Sequence, residues 1–262
     1  MSQEAADVAA ALLAVRHEAE RGVELSSRVH RAMRERSRHM REGNFAAFAG
    51  DDVELLFDLT DGAYFGGKVR ALLAACKCPI SFHASTRLTR SGGLTKQFRP
   101  PRTPPRPFGL GFRYEIVLSS TLLLQTFKDV DRPVRVSGLP CADRLEAAQR
   151  IMEHEATHLV EMLAAGVSSC DATPFKLLAL RWFGHTETKH DLVTQSERAR
   201  ETLGVRVGGM VTFAYEGRTL TGLVNRITRR ATVLVEDPSG VLYTSGKRYL
   251  KYYVPLSSLR PA

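Results

Sequence analysis

The pentapeptide His154-Glu155-Ala156-Thr157-His158 constrains this chain more than any other stretch. It lies in a segment, residues 143–165, whose apolar residues recur at helical spacing and which Gly166 is expected to end. Residues four apart on a helix lie one above the other, so the two imidazoles aim at one point. Neutral imidazole is a common zinc ligand, and a glutamate beside the first histidine can take a proton from a zinc-bound water. The pentapeptide therefore predicts a Zn²⁺ site with Glu155 as the catalytic base.

The other residues of this predicted helix have the pattern of a helix that is buried on one face. Six apolar residues form a stripe at helical spacing: Leu145, Ala148, Met152, Ala156, Leu159 and Leu163. His154 and His158 fall on a different side, which predicts a buried helix with a polar, metal-binding face. The alternative is an ordinary amphipathic helix with two surface histidines, because so short a motif also occurs by chance.

A third metal ligand must come from elsewhere, since a catalytic zinc ion usually takes three protein ligands and leaves the fourth position for water. The downstream candidates are Glu161, Cys170, Asp171, His185 and His190. Glu161 is only three residues past His158 on the same helix, which is too near to complete a tetrahedron. The residues alone leave the choice among the other four open.

The composition is that of a globular protein: 44% of the 262 residues are hydrophobic and 25% are charged. No apolar run reaches the ~20 residues that span a membrane, and the first residues lack the basic start and apolar core of a signal peptide. We therefore expect a cytoplasmic protein, associated with the nucleoid if it is bacterial, with no membrane partner. Four cysteines in a chain this long do not indicate a disulfide framework.

The net charge of +9 favours acidic partners, nucleic acid above all. Five arginines recur every three or four residues in a helix predicted over residues 3–42: Arg28, Arg31, Arg34, Arg38 and Arg41. They either contact phosphates or form a solvated face. A second basic segment, residues 96–113, alternates prolines with arginines and predicts a polyproline-like loop. That loop either follows a nucleic-acid backbone or is a surface insertion.

Residues 204–262 have a different pattern, with short β-strands separated by turn residues, which predicts a small five-strand barrel. Nine basic and three acidic residues give this tail a net charge of +6. The basic residues group at two turns, which makes six of them the candidate nucleic-acid contacts: Arg226, Arg229, Arg230, Lys247, Arg248 and Lys251. Tyrosines interleave with them, and exposed aromatic residues among cations are typical of nucleic-acid surfaces.

An ordered series of motifs between Val53 and Phe183 resembles the SprT-like zinc metalloproteases, which include the Spartan proteases that act on DNA–protein crosslinks. The series comprises Leu56-Phe57, Tyr64-Phe65-Gly66-Gly67, Ile80-Ser81-Phe82, Arg87 through Gly92-Gly93, Tyr114 to Ser119, and the metal-binding pentapeptide. The resemblance implies an α+β fold with a zincin-like domain and a small mixed sheet. The family often has a zinc ribbon after this domain, but the cysteines for it are absent here. The small all-β barrel predicted over 204–262 stands in its place and looks SH3-like or KOW-like. The expected domains are a basic helical extension over 1–50, the protease domain over 51–203 and the barrel over 204–262.

The same resemblance bears on the third metal ligand. The family carries a metal-binding histidine in the loop after this helix, with an aromatic residue four positions later. Here Phe175 takes the aromatic place and Asp171 takes that of the histidine, so the resemblance implies Asp171 as the ligand. Carboxylate oxygen is an acceptable zinc ligand. Cys170, His185 and His190 remain alternatives, and His185 or His190 is also a candidate oxyanion donor.

Taken together, these features predict a zinc-dependent endopeptidase that cleaves proteins bound or crosslinked to DNA. Its partners would be a protein substrate and DNA, while the oligomeric state stays open. The alternative is a non-catalytic nucleic-acid-binding protein, associated with transcription or replication, whose zinc site only holds the fold. An intact Glu155 favours the enzyme, because a purely structural site has no use for a water-activating carboxylate.

Overall fold

The computed structural model describes residues 2–99 and 111–262, and it has the expected α+β class. The chain forms two compact units. The first comprises Met1–Phe127 and Arg132–Leu192, and the second Lys128–Asp131 and Val193–Ala262. Most of the predicted Pro/Arg-rich loop, residues 100–110, lies outside the described residues. No helix in the described part of the chain is both long and apolar enough to cross a membrane.

Helices make up most of the first unit. They are α1 (Gln3–Leu13), α2 (Ala19–Arg36), α3 (Gly50–Thr60), a π-helical turn (Asp61–Phe65), α4 (Lys68–Ala75), α5 (Ser120–Gln125), α6 (Arg144–Ala165) and α7 (Thr173–Phe183). In the second unit, α8 spans Gln195–Leu203. The helix predicted over residues 3–42 is therefore two helices. Beyond α2, the side chains of Ser37 and His39 bond to Asp52 at the start of α3, and these contacts turn the chain out of the helix. As a result Arg38 and Arg41 do not lie on α2.

Three strands form the mixed sheet that was expected in the first unit. They are β1 (Ile80–Ser85), β2 (Gly93–Phe98) and β3 (Arg113–Ser119), in the order β1-β3-β2. Strand β1 runs parallel to β3, while β2 runs antiparallel to β3 and lies at the edge. A small hairpin, β4 (Val134–Val136) and β5 (Leu139–Cys141), precedes helix α6.

Helix α6 lies at the centre of the first unit. The predicted apolar stripe is fully buried, from Leu145 at one end to Leu163 at the other. The helix has the predicted limits: the Asp143 side chain accepts the Glu146 N–H at its start, and Gly166, with φ +77°, ends it. Only a residue that tolerates a positive φ suits that turn.

The second unit holds a five-stranded antiparallel sheet. Its strands are β6 (Met210–Tyr215), β7 (Arg218–Ile227), β8 (Arg230–Leu242), β9 (Arg248–Pro255) and β10 (Arg260–Pro261), in the order β10-β6-β7-β8-β9. The prediction of a closed barrel is wrong, because no pairing of described residues joins β9 to β10. Strand β10 pairs with β6 over only two residues, one of which, Pro261, has no N–H to donate. The sheet is therefore open.

A buried arginine anchors the start of helix α6. The side chain of Arg144 is 8% exposed and donates hydrogen bonds to four backbone carbonyls, those of Asn44, Phe45, Thr126 and Phe127. Burial lowers the pKa of this guanidinium, and no carboxylate among the described residues pairs with it. Arg144 thus ties two loops of the first unit to the helix.

We expect Arg144→Met to lower the free energy of unfolding by about 3 kcal/mol, because it leaves buried carbonyl oxygens without donors. Urea denaturation of the intact protein measures this change. The control is Arg28→Met on the exposed face of α2, where the expected change is below about 0.5 kcal/mol. Equal effects of the two substitutions would show that Arg144 does not anchor the helix.

Candidate metal centre

Helix α6 and the loop that follows it bring three possible metal ligands together. His154 and His158 of the pentapeptide lie with Cys170 so that one donor atom of each is within 4.8 Å of the other two. The two imidazole rings are 4.9 Å apart between centroids, as a separation of four residues on a helix requires. All three residues are half-buried at the wall of one cavity. Two imidazoles and one thiolate are a donor set that suits a zinc ion and leaves one position open.

The third member of this group differs from the expected Asp171. That residue is exposed and does not belong to the group, although it is next to Cys170 in the chain. Gly166 turns the chain at the end of α6, and α7 starts at Thr173, so the short loop between them returns Cys170 to the histidines. The geometry favours Cys170 over Asp171 as the third ligand.

The two downstream histidines also lie outside the metal group. His185 is buried, and its Nε2 lies 2.8 Å from the carboxylate of Glu153 on a different side of helix α6. His190 lies in the wall of the cavity, and its Nε2 accepts the backbone N–H of Gly92 at 2.8 Å. Neither arrangement offers the donor that the sequence suggested for an oxyanion, because the Nδ1 atoms of both histidines are buried.

Phe175 holds the two motif histidines from one side. Its ring is fully buried and lies 4.8 Å from that of His154 and 4.4 Å from that of His158, between centroids. Burial lowers the pKa of His154 to about 3 and that of His158 to about 4. Both imidazoles are therefore neutral near pH 7, which is the form that binds a metal ion without first losing a proton.

Glu155 is buried between helix α6 and the edge strand β2. The Thr95 hydroxyl shares its one proton between the Oε2 atom of Glu155, at 2.8 Å, and the Glu155 backbone carbonyl, at 3.0 Å. Burial raises the pKa of Glu155 to about 7, while the bonds from Thr95 oppose that rise. A carboxyl group with a pKa near 7 is suited to take up and give back a proton.

Gly93 allows this close packing. A Cβ atom at Gly93 would lie 2.6 Å from Oε1 of Glu155 and 2.7 Å from Cγ2 of Ile151. At Gly92 a Cβ would be 2.7 Å from Cδ1 of the same isoleucine. The Gly-Gly pair therefore allows the close contact between strand β2 and helix α6.

A cavity of about 600 Å³ opens in front of these groups. Its wall includes the motif residues, Leu94 and Thr95 of the edge strand, and Val136 of the β4–β5 hairpin. The metal group and the buried carboxylate of Glu155 thus lie in one concave site, which is what a ligand of moderate size requires.

A second group, His39 with Asp51 and Asp52, also has metal-binding side chains close together. Here the Asp52 carboxylate already accepts hydrogen bonds from the Ala49 N–H, from Ser37 Oγ and from the His39 ring. Such hydrogen bonds stabilise the start of a helix, so we assign this group the role of capping helix α3.

The six predicted nucleic-acid contacts are all exposed on the second unit. Two of them are engaged, since Lys247 pairs with Glu236 at 2.7 Å and Arg248 donates to the carbonyl of Gly240 at 2.9 Å. The other four, Arg226, Arg229, Arg230 and Lys251, form no ion pair with any described residue.

Strand register places most of these free cations together. Arg226 pairs across the sheet with Thr232, and Thr232 pairs with Tyr253, so the three side chains share one face. Arg230 and Lys251 lie two residues from members of this row and point the same way. Tyr253 is 64% exposed. We call Arg226, Arg230, Lys251 and Tyr253 the basic face.

Sequence reasoning missed Thr95 and Ser168. Thr95 contacts Glu155, and Ser168 contacts both His158 and Glu161. The contacts of Thr95 and Ser168 join residues in different structural elements, which no helical or strand period relates. A lone serine or threonine also shows no functional motif in a single sequence.

No family model matches this chain, and neither the curated proteins nor the solved structures contain a match. The resemblance to the SprT-like family therefore stays a prediction that rests on the sequence motifs.

The choice between Cys170 and Asp171 can be tested by metal binding. We expect Cys170→Ala to weaken zinc binding at least 100-fold, because two imidazoles alone rarely hold the ion, whereas Asp171→Ala should bind like the wild type. Competition with a chromophoric chelator measures both affinities. The reverse result, with Asp171 essential and Cys170 dispensable, would restore the ligand that the resemblance implies.

Proposed function

We propose that this protein is a zinc-dependent endopeptidase of the SprT-like type, with a zincin-like first unit. One observation carries the proposal: His154, His158 and Cys170 converge at the cavity where the buried carboxylate of Glu155 lies. A structural zinc site is closed by four protein ligands, whereas a catalytic site keeps one position open. Three candidate ligands beside a cavity fit a catalytic site with one open position.

The chain supplies the groups that peptide hydrolysis needs. His154, His158 and Cys170 would hold the zinc ion, which when bound polarises the scissile carbonyl and makes water acidic. Glu155 accepts the proton of the attacking water and then gives it to the leaving amine, so that the carboxylate is regenerated. Thr95 holds that carboxylate in place through its hydroxyl.

We further propose DNA as a partner, bound through the basic face. Its three cations have no carboxylate partner among the described residues, and the exposed ring of Tyr253 lies among them. Cations release condensed counterions from DNA, while an aromatic ring offers a surface on which bases stack. Five antiparallel strands in the order β10-β6-β7-β8-β9, in an open sheet, support an SH3-like or KOW-like interpretation of this unit.

A rival DNA site lies on the first unit. Arg31, Arg34 and Arg41 line a polar cavity there, but Glu35 and Glu146 line it too. These acids offset much of the positive charge, so we favour the basic face. The alternative function, a non-catalytic DNA-binding protein with a structural metal, depends on the same basic face and differs only in the role of Glu155.

We expect Glu155→Gln to retain bound zinc and to lower peptidase activity at least 1,000-fold, because the amide cannot accept the proton of water. Metal analysis and cleavage of an unfolded protein substrate, with and without DNA, measure the two properties. His158→Ala is the matched control that should lose both. A Gln variant that still cleaves would remove Glu155 from its assigned role.

For DNA binding, we expect the triple change of Arg226, Arg230 and Lys251 to Gln to weaken affinity at least tenfold. The slope of log K against log salt concentration should also become less negative by about 2 to 3, because each lost phosphate contact contributes about 0.9 to that slope. The matched control is the triple change of Arg31, Arg34 and Arg41 to Gln. If only the control weakens binding in titrations with labelled duplex, the DNA site is on the first unit.

A further inference from the structure

Ser168 lies between a motif histidine and a buried carboxylate. Its Oγ atom is 2.7 Å from Nδ1 of His158, and the same hydroxyl donates a short hydrogen bond to Oε2 of Glu161. Glu161 is 8% exposed and lies three residues after His158 on helix α6. The sequence suggests only a metal-binding role for Glu161, whereas the structure places Glu161 outside the group formed by His154, His158 and Cys170.

The directions of these two bonds follow from the donors available. An ionised carboxylate only accepts hydrogen bonds, so the single proton of the Ser168 hydroxyl is directed to Glu161. The serine oxygen must then accept a proton from Nδ1 of His158. This arrangement selects the tautomer of His158 that carries its proton on Nδ1 and leaves Nε2 free to bind a metal ion.

The same serine also fixes the loop that supplies the third ligand. Ser168 is two residues before Cys170, and a hydrogen bond from the Ala172 N–H to the Ser169 carbonyl tightens the turn beyond it. The bond from Ser168 to Glu161 ties the start of this loop to helix α6. The hydrogen bond between Ser168 and Glu161 therefore helps to hold Cys170 near the two histidines even when no metal ion is bound.

We propose that Glu161 and Ser168 are positioning residues of the metal centre, which set the tautomer of His158 and the place of Cys170 before the ion binds. The proposal rests on the zinc site of the proposed function. Partners of this kind orient metal-binding histidines, and their loss commonly weakens metal binding 10–100-fold. A preset site also binds its ion without first ordering the loop.

The test uses the intact chain and compares Ser168→Ala with Ser168→Thr, which keeps a hydroxyl, and with Ser169→Ala, an exposed neighbour. Chelator competition gives the zinc affinity, and the thiolate-to-metal absorption band of the Co²⁺ form reports ligation by Cys170. We expect Ser168→Ala to lose 10–100-fold in affinity and to weaken that band. Ser168→Thr should lie within about threefold of the wild type and Ser169→Ala should equal it.

A second readout separates positioning from a merely structural role. Nitrogen NMR shifts of His158 in the metal-free protein report its tautomer, and we expect the Nδ1–H form in the wild type and a mixture in Ser168→Ala. Glu161→Gln, which removes the charge but keeps the shape, should shift the same equilibrium and weaken zinc binding about tenfold.

These experiments distinguish failure of the positioning role from failure of the zinc-dependent endopeptidase proposal. If the wild type binds zinc and cobalt but Ser168→Ala binds them equally well with an unchanged tautomer, the positioning role is overturned while the metalloprotease stands. If the wild type binds neither metal, both proposals fall. Thermal unfolding of the metal-free variants identifies any that have lost the fold, and in that case the Ser168→Thr and Glu161→Gln results decide.

Discussion

The contact between helix α6 and edge strand β2 determines what the first unit can do. Gly93 leaves no space for a side chain, so the strand lies directly against the helix and covers Glu155. Thr95, two residues later on the same strand, meets the buried carboxylate with its hydroxyl. Burial raises the pKa of that carboxyl to about 7, whereas a solvated glutamate would stay ionised and be a weaker base. One packing contact thus produces both the position and the chemistry of Glu155.

The two histidines of the same helix need the opposite electrostatic effect, because they must stay uncharged to bind a metal ion. His154 and His158 line the cavity, and burial keeps both imidazoles neutral. Phe175 supplies an apolar surface under both rings. Neutral imidazoles attract a cation only through their lone pairs, so a thiol such as Cys170, which loses its proton on binding, would supply the only charge among the three ligands. A thiolate from Cys170 would thus supply the negative charge that the resemblance assigns to the Asp171 carboxylate.

The sequence predicted what depends on local periodicity and failed where distant segments meet. The limits of helix α6 and the place of its histidines follow from a 3.6-residue pattern and a glycine stop, and the structure confirms the helix. The loop that holds Cys170 has no such period, so the sequence could not show that Cys170, rather than its neighbour Asp171, lies within 4.8 Å of both histidines. In the second unit the alternating pattern predicted the strands, but closure of the sheet depends on its last strand, which ends at Pro261 after two paired residues.

The central claim is that two imidazoles and one thiolate of this chain bind a single zinc ion. X-ray absorption at the zinc edge, measured on the intact zinc-loaded protein, reads these ligands directly. The account predicts one sulfur at about 2.3 Å and nitrogen or oxygen neighbours at about 2.0–2.1 Å, with the sulfur lost in Cys170→Ala. A wild-type spectrum with only nitrogen and oxygen neighbours would contradict it.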